Sequence, residues 1–575
     1  MAEKQSRGCL PEESFQSMGN YWRALRQTGF RLVDRITARS LVADEIREVR
    51  ARSGQEMKKT LSWWDLMWFG IGGVIGAGIF VLSGQEAKES SGPAVVLSYG
   101  ISGISAMFSV FCYTEFAVEI PVAGGSFAYL RVELGDFVAF VAGGNIILEY
   151  IMGCAAVARS WTSYLATLMN HKPDDLRINV SSLPRDYSQL DPLAVVLCAA
   201  ICSATVLSTK AASHFNSVTT IVHIFILLFI IVTGLLYADS SNMKPFAPFG
   251  ASGIFSSAAV LFFSYVGFDA VSTMAEETKN PPRDIPLGLV GAMSITTVAY
   301  CLLALTLCLM VPYSRIDPDA PFSVAFETVG LRWAKYVVSF GALKGMTTCL
   351  LVSSVGMARY LTHMARTHLV PPCLAAVNSK TGTPVNATVV MLSATALIAF
   401  FTDLPILANL LSISTLSIFM LVALAVLVRR YYVAGETTVS DRNKLILCIA
   451  LILGSSAAVA GLWARGAPGW ACYAVVGAVW VGSTGYLWAG MGQARRPEVW
   501  GVPAVPWLPA MSVFINIFLL GSIDGRSFVR FLIWTAFLLL YYVLFGLHAS
   551  YDAAKEAARP PTAVEEGRTG SEGLN

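Results

Sequence analysis

A run of glycines inside an apolar segment most constrains what this chain can fold into. Residues 70–80 read Gly-Ile-Gly-Gly-Val-Ile-Gly-Ala-Gly-Ile-Phe. Each glycine destabilises a helix interior by roughly 1 kcal/mol relative to alanine, so the sequence predicts a helix break here. In a bilayer a broken helix persists only where its free N–H and C=O groups meet protein, water or a ligand. The run is therefore predicted to form half of a substrate site, and close helix packing is the alternative interpretation.

The composition indicates that this break lies in an all-α polytopic membrane protein. Of the 575 residues 14% are charged and 55% are apolar, and the mean hydropathy is +0.59, which excludes ordinary soluble domains. Most cysteines lie within apolar runs and predict small buried residues, with no disulfide framework and no metal site. No basic tract interleaved with aromatic residues occurs, so nucleic acid is excluded as a partner. No cofactor is expected, and the lipid bilayer is the predicted environment.

The hydropathy pattern predicts about fourteen spans, because roughly 20 apolar residues are needed to cross about 30 Å of hydrocarbon. The polar N-terminal stretch is rich in Arg and Lys and contains no signal peptide, which predicts a cytosolic N-terminus. The even number of predicted spans returns the C-terminus to the cytosol. The opposite loop at 170–190 then holds a glycosylation sequon at Asn179. The predicted spans lie near 62–82, 93–119, 137–169, 191–208, 215–237, 252–275, 286–312, 334–358, 383–402, 404–430, 444–465, 471–491, 505–524 and 527–549.

A second interrupted span lies five spans after the first. Residues 261–269 read Leu-Phe-Phe-Ser-Tyr-Val-Gly-Phe-Asp, and they place a glycine, hydroxyl groups and Asp269 near the predicted bilayer midplane. Two broken spans at matching positions of two five-helix halves indicate an inverted-repeat transporter with its site at mid-membrane.

Several long motifs together resemble the cationic amino acid transporter family of the amino acid–polyamine–organocation superfamily. The motifs are 70–80, 263–269 with its Ala-Glu-Glu-Thr-Lys-Asn-Pro continuation, 121–129 and 345–348. The tail sequence at 56–66 is most similar to the plant branch. The resemblance implies a LeuT-type fold with two inverted repeats of five helices. It predicts a cytosolic tail at 1–61, a ten-helix transport core at 62–430, four additional helices at 431–549 and a disordered cytosolic tail at 550–575.

Recognition of an amino acid headgroup by backbone groups follows from the two predicted breaks. A carboxylate needs donors, and the free N–H groups and positive dipole end of a half-helix supply them. The α-ammonium needs acceptors, which carbonyl groups at the ends of half-helices supply. The predicted donors are Gly76, Ala77 and Gly78, and the predicted acceptors are Val74, Ile75, Phe263, Ser264 and Val266.

Side chains of spans 6 and 8 are predicted to complete the pocket. The resemblance implies that Phe263 acts as an apolar lid over the substrate, and a packed core phenylalanine is the alternative. Thr347 and Ser353 are expected to line the side-chain pocket, where the small Ser353 leaves room for a long Lys or Arg stem. Polar pairing within the helix bundle competes with that interpretation. Asp269 is expected to complete the pocket or to cap the inner half-helix.

Two ionisable residues within the spans are candidates for proton coupling, because such residues are expensive in a membrane. Glu149 is expected to attract a cationic substrate, to take a proton or to pair with Arg159. His223 resembles, by position, the titratable lysine that takes the place of a sodium ion in proton-coupled relatives. Histidine changes charge in the physiological range, so a proton on His223 is predicted to bias span 1. A neutral core histidine would instead suit a facilitator or an exchanger.

Charged residues at the cytosolic ends of spans 6 and 8 are the candidates for an inner gate. They are Glu276 and Glu277 with Arg359, and solvated loop charges are the alternative. The predicted function is proton-coupled symport of cationic amino acids, namely Arg, Lys and ornithine. The alternatives are a facilitator or exchanger of broad specificity and a sensor that does not transport, whereas an enzyme is not expected because no nucleophile–base pair or nucleotide loop occurs. The plasma membrane is the predicted location, with the vacuolar membrane as the alternative.

Overall fold

Apolar helices form most of the chain in the computed structural model, which describes residues 10–37, 59–75, 77–121, 125–207, 209–272, 274–378, 383–466 and 469–557. A short antiparallel pair, β1 (Ile178–Asn179) with β2 (Gln189–Leu190), lies in the loop after α7. The helices are α1 (Met18–Arg26), α2 (Thr28–Thr37), α3 (Trp63–Val74), α4 (Ala77–Glu86), α5 (Val95–Glu119), α6 (Gly125–Glu133), α7 (Asp136–Leu168), α8 (Pro192–Leu207), α9 (Thr209–Leu235), α10 (Gly250–Leu261), α11 (Asp269–Ser272), α12 (Pro281–Met310), α13 (Pro321–Thr328), α14 (Arg332–Arg366), α15 (Val385–Phe401), α16 (Leu404–Tyr431), α17 (Val439–Ala464), α18 (Trp470–Gly490), α19 (Trp507–Leu520), α20 (Gly525–Tyr541) and α21 (Leu547–Ala557).

Length and hydropathy make this a polytopic membrane protein. Within the described residues 8 helical stretches are long and apolar enough to cross a membrane. Shorter apolar helices at Pro192–Val206, Val222–Leu235, Gly250–Tyr265, Val385–Phe401 and Trp507–Leu520 lie where further spans were predicted. The total of about fourteen spans and the inverted repeat stay predictions.

The first predicted span is interrupted within its glycine run. Asp65 accepts a hydrogen bond from the Ser62 amide at 2.9 Å, at the start of α3. That helix ends at Val74, because Ile75 has a ψ of 84°, outside the helical range, and α4 then begins at Ala77. Gly76 lies between them, outside the described residues.

The second predicted break is also present. The regular helix α10 ends at Leu261 and tightens into a 3₁₀ turn over Phe262–Tyr265. Val266 is extended, and Gly267 has a φ of +120°, a left-handed conformation that favours glycine because it has no Cβ. The short α11 then starts at Asp269.

The described N-terminal segment docks on the C-terminal helix α21. Arg31 forms a buried ion pair with Asp552 at 3.1 Å, and Phe15 stacks on Phe545. Glu12 contacts His368, which follows α14, at 2.6 Å. We call the end of the bundle that carries these contacts the N-terminal face, and the other end the opposite face.

The predicted boundary of the disordered C-terminal tail is wrong for residues 550–557, which are helical as part of α21. The physical reason is that Asp552 is buried and ion-paired to the N-terminal segment, so this helix has a packing partner that its local sequence does not reveal. Residues 558–575 lie outside the described part of the chain.

Buried arginines organise ionic clusters at both faces. At the N-terminal face Arg430 pairs with Glu115 through two hydrogen bonds of 2.8 and 2.7 Å, and Arg429 contacts both Glu119 and Glu133. At the opposite face Arg159 pairs with Asp403 at 3.1 Å and donates to the carbonyls of Gln189 and Ala399.

These contacts exclude one of the three predicted roles of Glu149. The Arg159 guanidinium is held at the opposite face by Asp403, so the pairing of Glu149 with Arg159 is wrong. The two residues are ten positions apart on α7, which separates them by about 15 Å along the axis.

Candidate substrate site

The two broken spans touch at their breaks. A Cβ on Gly267 would lie 2.5 Å from the carbonyl oxygen of Gly73, closer than real Cβ contacts. A Cβ on Gly78 would lie 2.5 Å from the Cα of Ser264. The glycines are therefore needed for direct backbone approach, in addition to ending the helices. The structure brings the two predicted halves of the site together.

Tyr300 of α12 joins the two breaks and was not among the predicted site residues. Its hydroxyl lies 2.8 Å from the Val74 carbonyl oxygen and 2.9 Å from that of Ser264. Both carbonyls were predicted acceptors for the α-ammonium, so the hydroxyl occupies the position of a donor between them. The only sequence signal for this role is a tyrosine within an otherwise apolar run at 298–305.

Two of the three predicted carboxylate donors lie at the start of α4, and the third, Gly76, is outside the described residues. Ala77 and Gly78 are its first two residues, and the first N–H groups of any helix have no partner within that helix. On the acceptor side, the Phe263 carbonyl accepts a hydrogen bond from the Val266 amide at 3.0 Å. A carbonyl oxygen can accept two hydrogen bonds, so this contact leaves room for a substrate donor.

The predicted pocket residues lie against α7. The ring of Phe263 is half-buried and faces Gly153. A Cβ on Gly153 would lie 3.9 Å from this ring. Thr347 accepts a hydrogen bond from the indole of Trp161 at 3.1 Å, and Ser353 lies beside the thiol of Cys154. Trp161 and Cys154 were not predicted, because only the packing of α7 on α14 reveals them.

Glu149 and Asp269 lie near one another. Their carboxyl groups interact electrostatically, and Thr415 of α16 lies beside Glu149. Both carboxyl groups also act on the hydroxyl groups of Tyr113, Tyr150 and Tyr360. Two ionised carboxylates in this arrangement would repel, and either a bound proton or a cationic group would relieve the repulsion.

His223 is buried between α4 and α14. Its ring lies edge-on to Phe80 of α4, with ring centroids 5.5 Å apart. A Cβ on Gly345 would lie 2.6 Å from the imidazole, so this glycine makes room for the histidine. Within the described residues the Nε2 atom has no hydrogen-bond partner, and the nearby charged group is Lys344.

The structure describes only part of the predicted inner gate. Among the described residues neither Glu277 nor Arg359 forms an ion pair, and Arg359 is exposed; the side chain of Glu276 lies outside the described part. The Glu277 carbonyl instead accepts hydrogen bonds from the amides of Thr60 and Leu61, at 2.9 and 3.0 Å. The segment before α3 and the segment after α11 are thus joined by backbone hydrogen bonds. The sequon residue Asn179 is exposed on β1.

Comparison with known proteins identifies the family of this site. Residues 61–482 match the family described as amino acid permease, and residues 500–550 match the one described as the C-terminus of AA_permease. Cationic amino acid transporter 1 of Arabidopsis thaliana is 66% identical over 98% of this chain and 96% of its own length. The chain belongs to the cationic amino acid transporter family.

Two further members of the family are similar in sequence to this chain over nearly its full length. Cationic amino acid transporter 5 of Arabidopsis thaliana is 54% identical over 97% of this chain and 98% of its own length. Cationic amino acid transporter 8, vacuolar, from the same plant is 51% identical over 95% and 92%. The resemblance noted in the sequence is thus confirmed. This member of the family is a multi-pass amino acid transporter and not an enzyme.

Proposed function

We propose that this transporter is a proton-coupled symporter of cationic amino acids, chiefly Arg, Lys and ornithine. The observation that carries the proposal is the contact of two interrupted helices at Gly73 and Gly267, with backbone groups gathered around it. Backbone groups of this kind bind the headgroup shared by all amino acids. Selection of a cationic side chain requires negative charge nearby, which the neighbouring carboxyl groups of Asp269 and Glu149 provide when they are ionised.

The headgroup is held between the two breaks. The substrate carboxylate binds the amides of Gly76, Ala77 and Gly78 at the positive end of α4. The α-ammonium binds the carbonyls of Val74, Ile75, Phe263, Ser264 and Val266, and displaces or shares the Tyr300 hydroxyl at two of them. Phe263 closes over the bound headgroup.

The side-chain pocket extends between α7 and α14. Ser353 is small, so the pocket accommodates the stem of Arg or Lys, and Thr347 is oriented by Trp161. Replacing Ser353 by methionine is expected to lower arginine uptake several-fold more than alanine uptake. Competition of unlabelled amino acids against labelled arginine measures this shift, and an equal loss for both would contradict the pocket.

Proton coupling acts through His223 and Glu149. A proton on His223 places a charge against Phe80, and α4 then shifts relative to α14 because a buried charge needs new partners. A proton on Glu149 relieves its repulsion with Asp269, which stays ionised to face the cationic side chain. The proton and the substrate are then carried together.

The proposed architecture is the LeuT-type arrangement of two five-helix repeats at 62–430, followed by four additional helices at 431–549. The N-terminal face is then cytosolic, and Asn179 lies on the outside. The inner gate consists of Glu276, Glu277 and Arg359. It forms in the outward-open state, when the joined inner ends of spans 1 and 6 move toward α14.

Uptake of radiolabelled arginine into proteoliposomes tests the function. We expect accumulation that requires an inward proton gradient and collapses when a protonophore is added. Uptake without dependence on the gradient would indicate a facilitator or an exchanger, and binding without uptake would indicate a sensor. Protein reconstituted in the same vesicles with Gly78→Val provides the background.

We further propose that the transporter resides in the plasma membrane. The relative of 51% identity is named vacuolar, so imaging of a fluorescent fusion beside markers of both membranes is needed. Signal at the vacuolar membrane alone would contradict the plasma-membrane proposal. Loss of a glycan shift in Asn179→Gln would support the predicted orientation.

A further inference from the structure

A buried carboxyl group lies on the outer side of the two breaks, away from Glu149 and His223. Glu86 is the last residue of α4, and only 4% of its surface is exposed. Ser257 of α10 and Ser90 lie beside its carboxyl group. The charged and titratable neighbours are Glu89 on the same segment and Tyr99 of α5.

The hydrogen bonding of this carboxyl group is incomplete. Within the described residues the Glu86 Oε2 atom has no hydrogen-bond partner of good geometry, and neither does the Ser257 hydroxyl. An ionised carboxylate buried without a donor is strongly disfavoured. Either a proton on the carboxyl group or a donor brought by a conformational change would satisfy it.

A chain of hydroxyl groups leads from Glu86 to the headgroup site. Ser83 lies three residues before Glu86 on α4, so the two side chains share a face of the helix. The Ser83 hydroxyl lies 2.7 Å from that of Tyr99, and Tyr99 in turn lies beside Ser264. The carbonyl of Ser264 is one of the two that Tyr300 contacts. Each of these side chains is at most 2% exposed.

This path is enclosed by tight packing. A Cβ on Gly253 of α10 would lie 2.1 Å from the Ser90 carbonyl oxygen, so the segment after Glu86 packs directly on span 6. The hydroxyl of Tyr265 donates to the Tyr99 carbonyl at 2.7 Å. Movement of α4 relative to α10 therefore changes the surroundings of the carboxyl group and of the headgroup site together.

We propose that Glu86 is a further proton-binding site, loaded from the opposite face, whose protonation is linked to substrate binding through Ser83, Tyr99 and Ser264. This inference rests on the proposed proton symport and adds the group that takes the proton from outside. The proton binds Glu86 while α4 and α10 are apart, and the closed packing then retains it until the inner side opens.

The test is arginine uptake as a function of external pH in proteoliposomes containing the full-length transporter. Glu86→Gln mimics the protonated carboxyl group. We expect it to lose most of the stimulation by external acid while retaining arginine exchange in the absence of a proton gradient. Glu89→Gln is the matched control, because it removes the same charge from an exposed neighbour, and it should keep the wild-type pH profile.

The outcomes separate this inference from the proposed function. If wild-type uptake does not depend on the proton gradient, the symport itself fails. If the wild type depends on the gradient and Glu86→Gln shows the same pH profile, Glu86 is structural and the inference is overturned. Tyr99→Phe keeps the ring but removes the hydroxyl, and we expect it to reduce the number of protons moved per arginine; an unchanged ratio would contradict the hydroxyl path.

Discussion

Arg31 and Asp552 form a buried ion pair at 3.1 Å although 521 positions separate them in the chain. The guanidinium of Arg31 also donates to the Ser14 hydroxyl at 3.0 Å and lies over the ring of Tyr551. The backbone amide of Ser14 donates to the same carboxylate at 2.7 Å. The N-terminal segment is therefore fastened to the last helix by a small network of charge and hydrogen bonds.

Replacing Asp552 by asparagine should weaken the contact between the N-terminal segment and α21. Breaking one partner of a buried pair leaves an uncompensated charge, which typically costs about 3–5 kcal/mol. We expect a lower melting temperature of the purified transporter and faster amide hydrogen exchange over residues 12–35. Glu556→Gln, an exposed change on the same helix, is the control. Unchanged exchange in Asp552→Asn would contradict the docking of this segment.

Gly78→Val should abolish uptake while largely preserving folding and trafficking. Even a Cβ at this position would lie 2.5 Å from the Cα of Ser264, so the two breaks must separate. Gly100→Ala is a matched control, because the Cβ there meets nothing within 4 Å. Arginine uptake per molecule at the membrane measures the effect, and retained uptake in Gly78→Val would contradict the contact of the two breaks.

Tyr300→Phe should weaken the headgroup site without removing the ring. The variant loses the hydroxyl that lies between the Val74 and Ser264 carbonyls. A net hydrogen bond contributes about 1 kcal/mol, so we expect arginine uptake to fall about fivefold. Tyr237→Phe, at an exposed position, should behave like the wild type. Equal uptake in the two variants would show that the Tyr300 hydroxyl serves packing alone.

His223→Gln should separate transport from proton coupling. Glutamine keeps a polar side chain against Phe80 but does not titrate, so arginine exchange should persist while stimulation by an inward proton gradient is lost. Parallel measurements of exchange and of gradient-driven uptake give the comparison. Gradient-driven uptake equal to that of the wild type would show that His223 is a packed core residue without a role in proton coupling.

The chain's local features determined much of the fold. Apolar runs of sufficient length predicted the positions of the helices, because a helix satisfies its backbone hydrogen bonds within its own segment in a bilayer. The glycine run at 70–80 and the Phe263–Asp269 stretch predicted the two breaks, because glycine lowers helix stability wherever it stands. The family followed from the same motifs.

Only the tertiary structure decided which distant groups meet. Tyr300 and Trp161 look like core aromatic residues in the sequence, and their roles depend on which carbonyl or hydroxyl lies within reach after packing. The partner of Arg159 proved to be Asp403, and Asp552 ordered a helix that composition alone had predicted to be disordered. Helix propensity depends on residues that are neighbours in the sequence. A tertiary contact depends on how all the helices pack together, and a local sequence pattern does not contain that information.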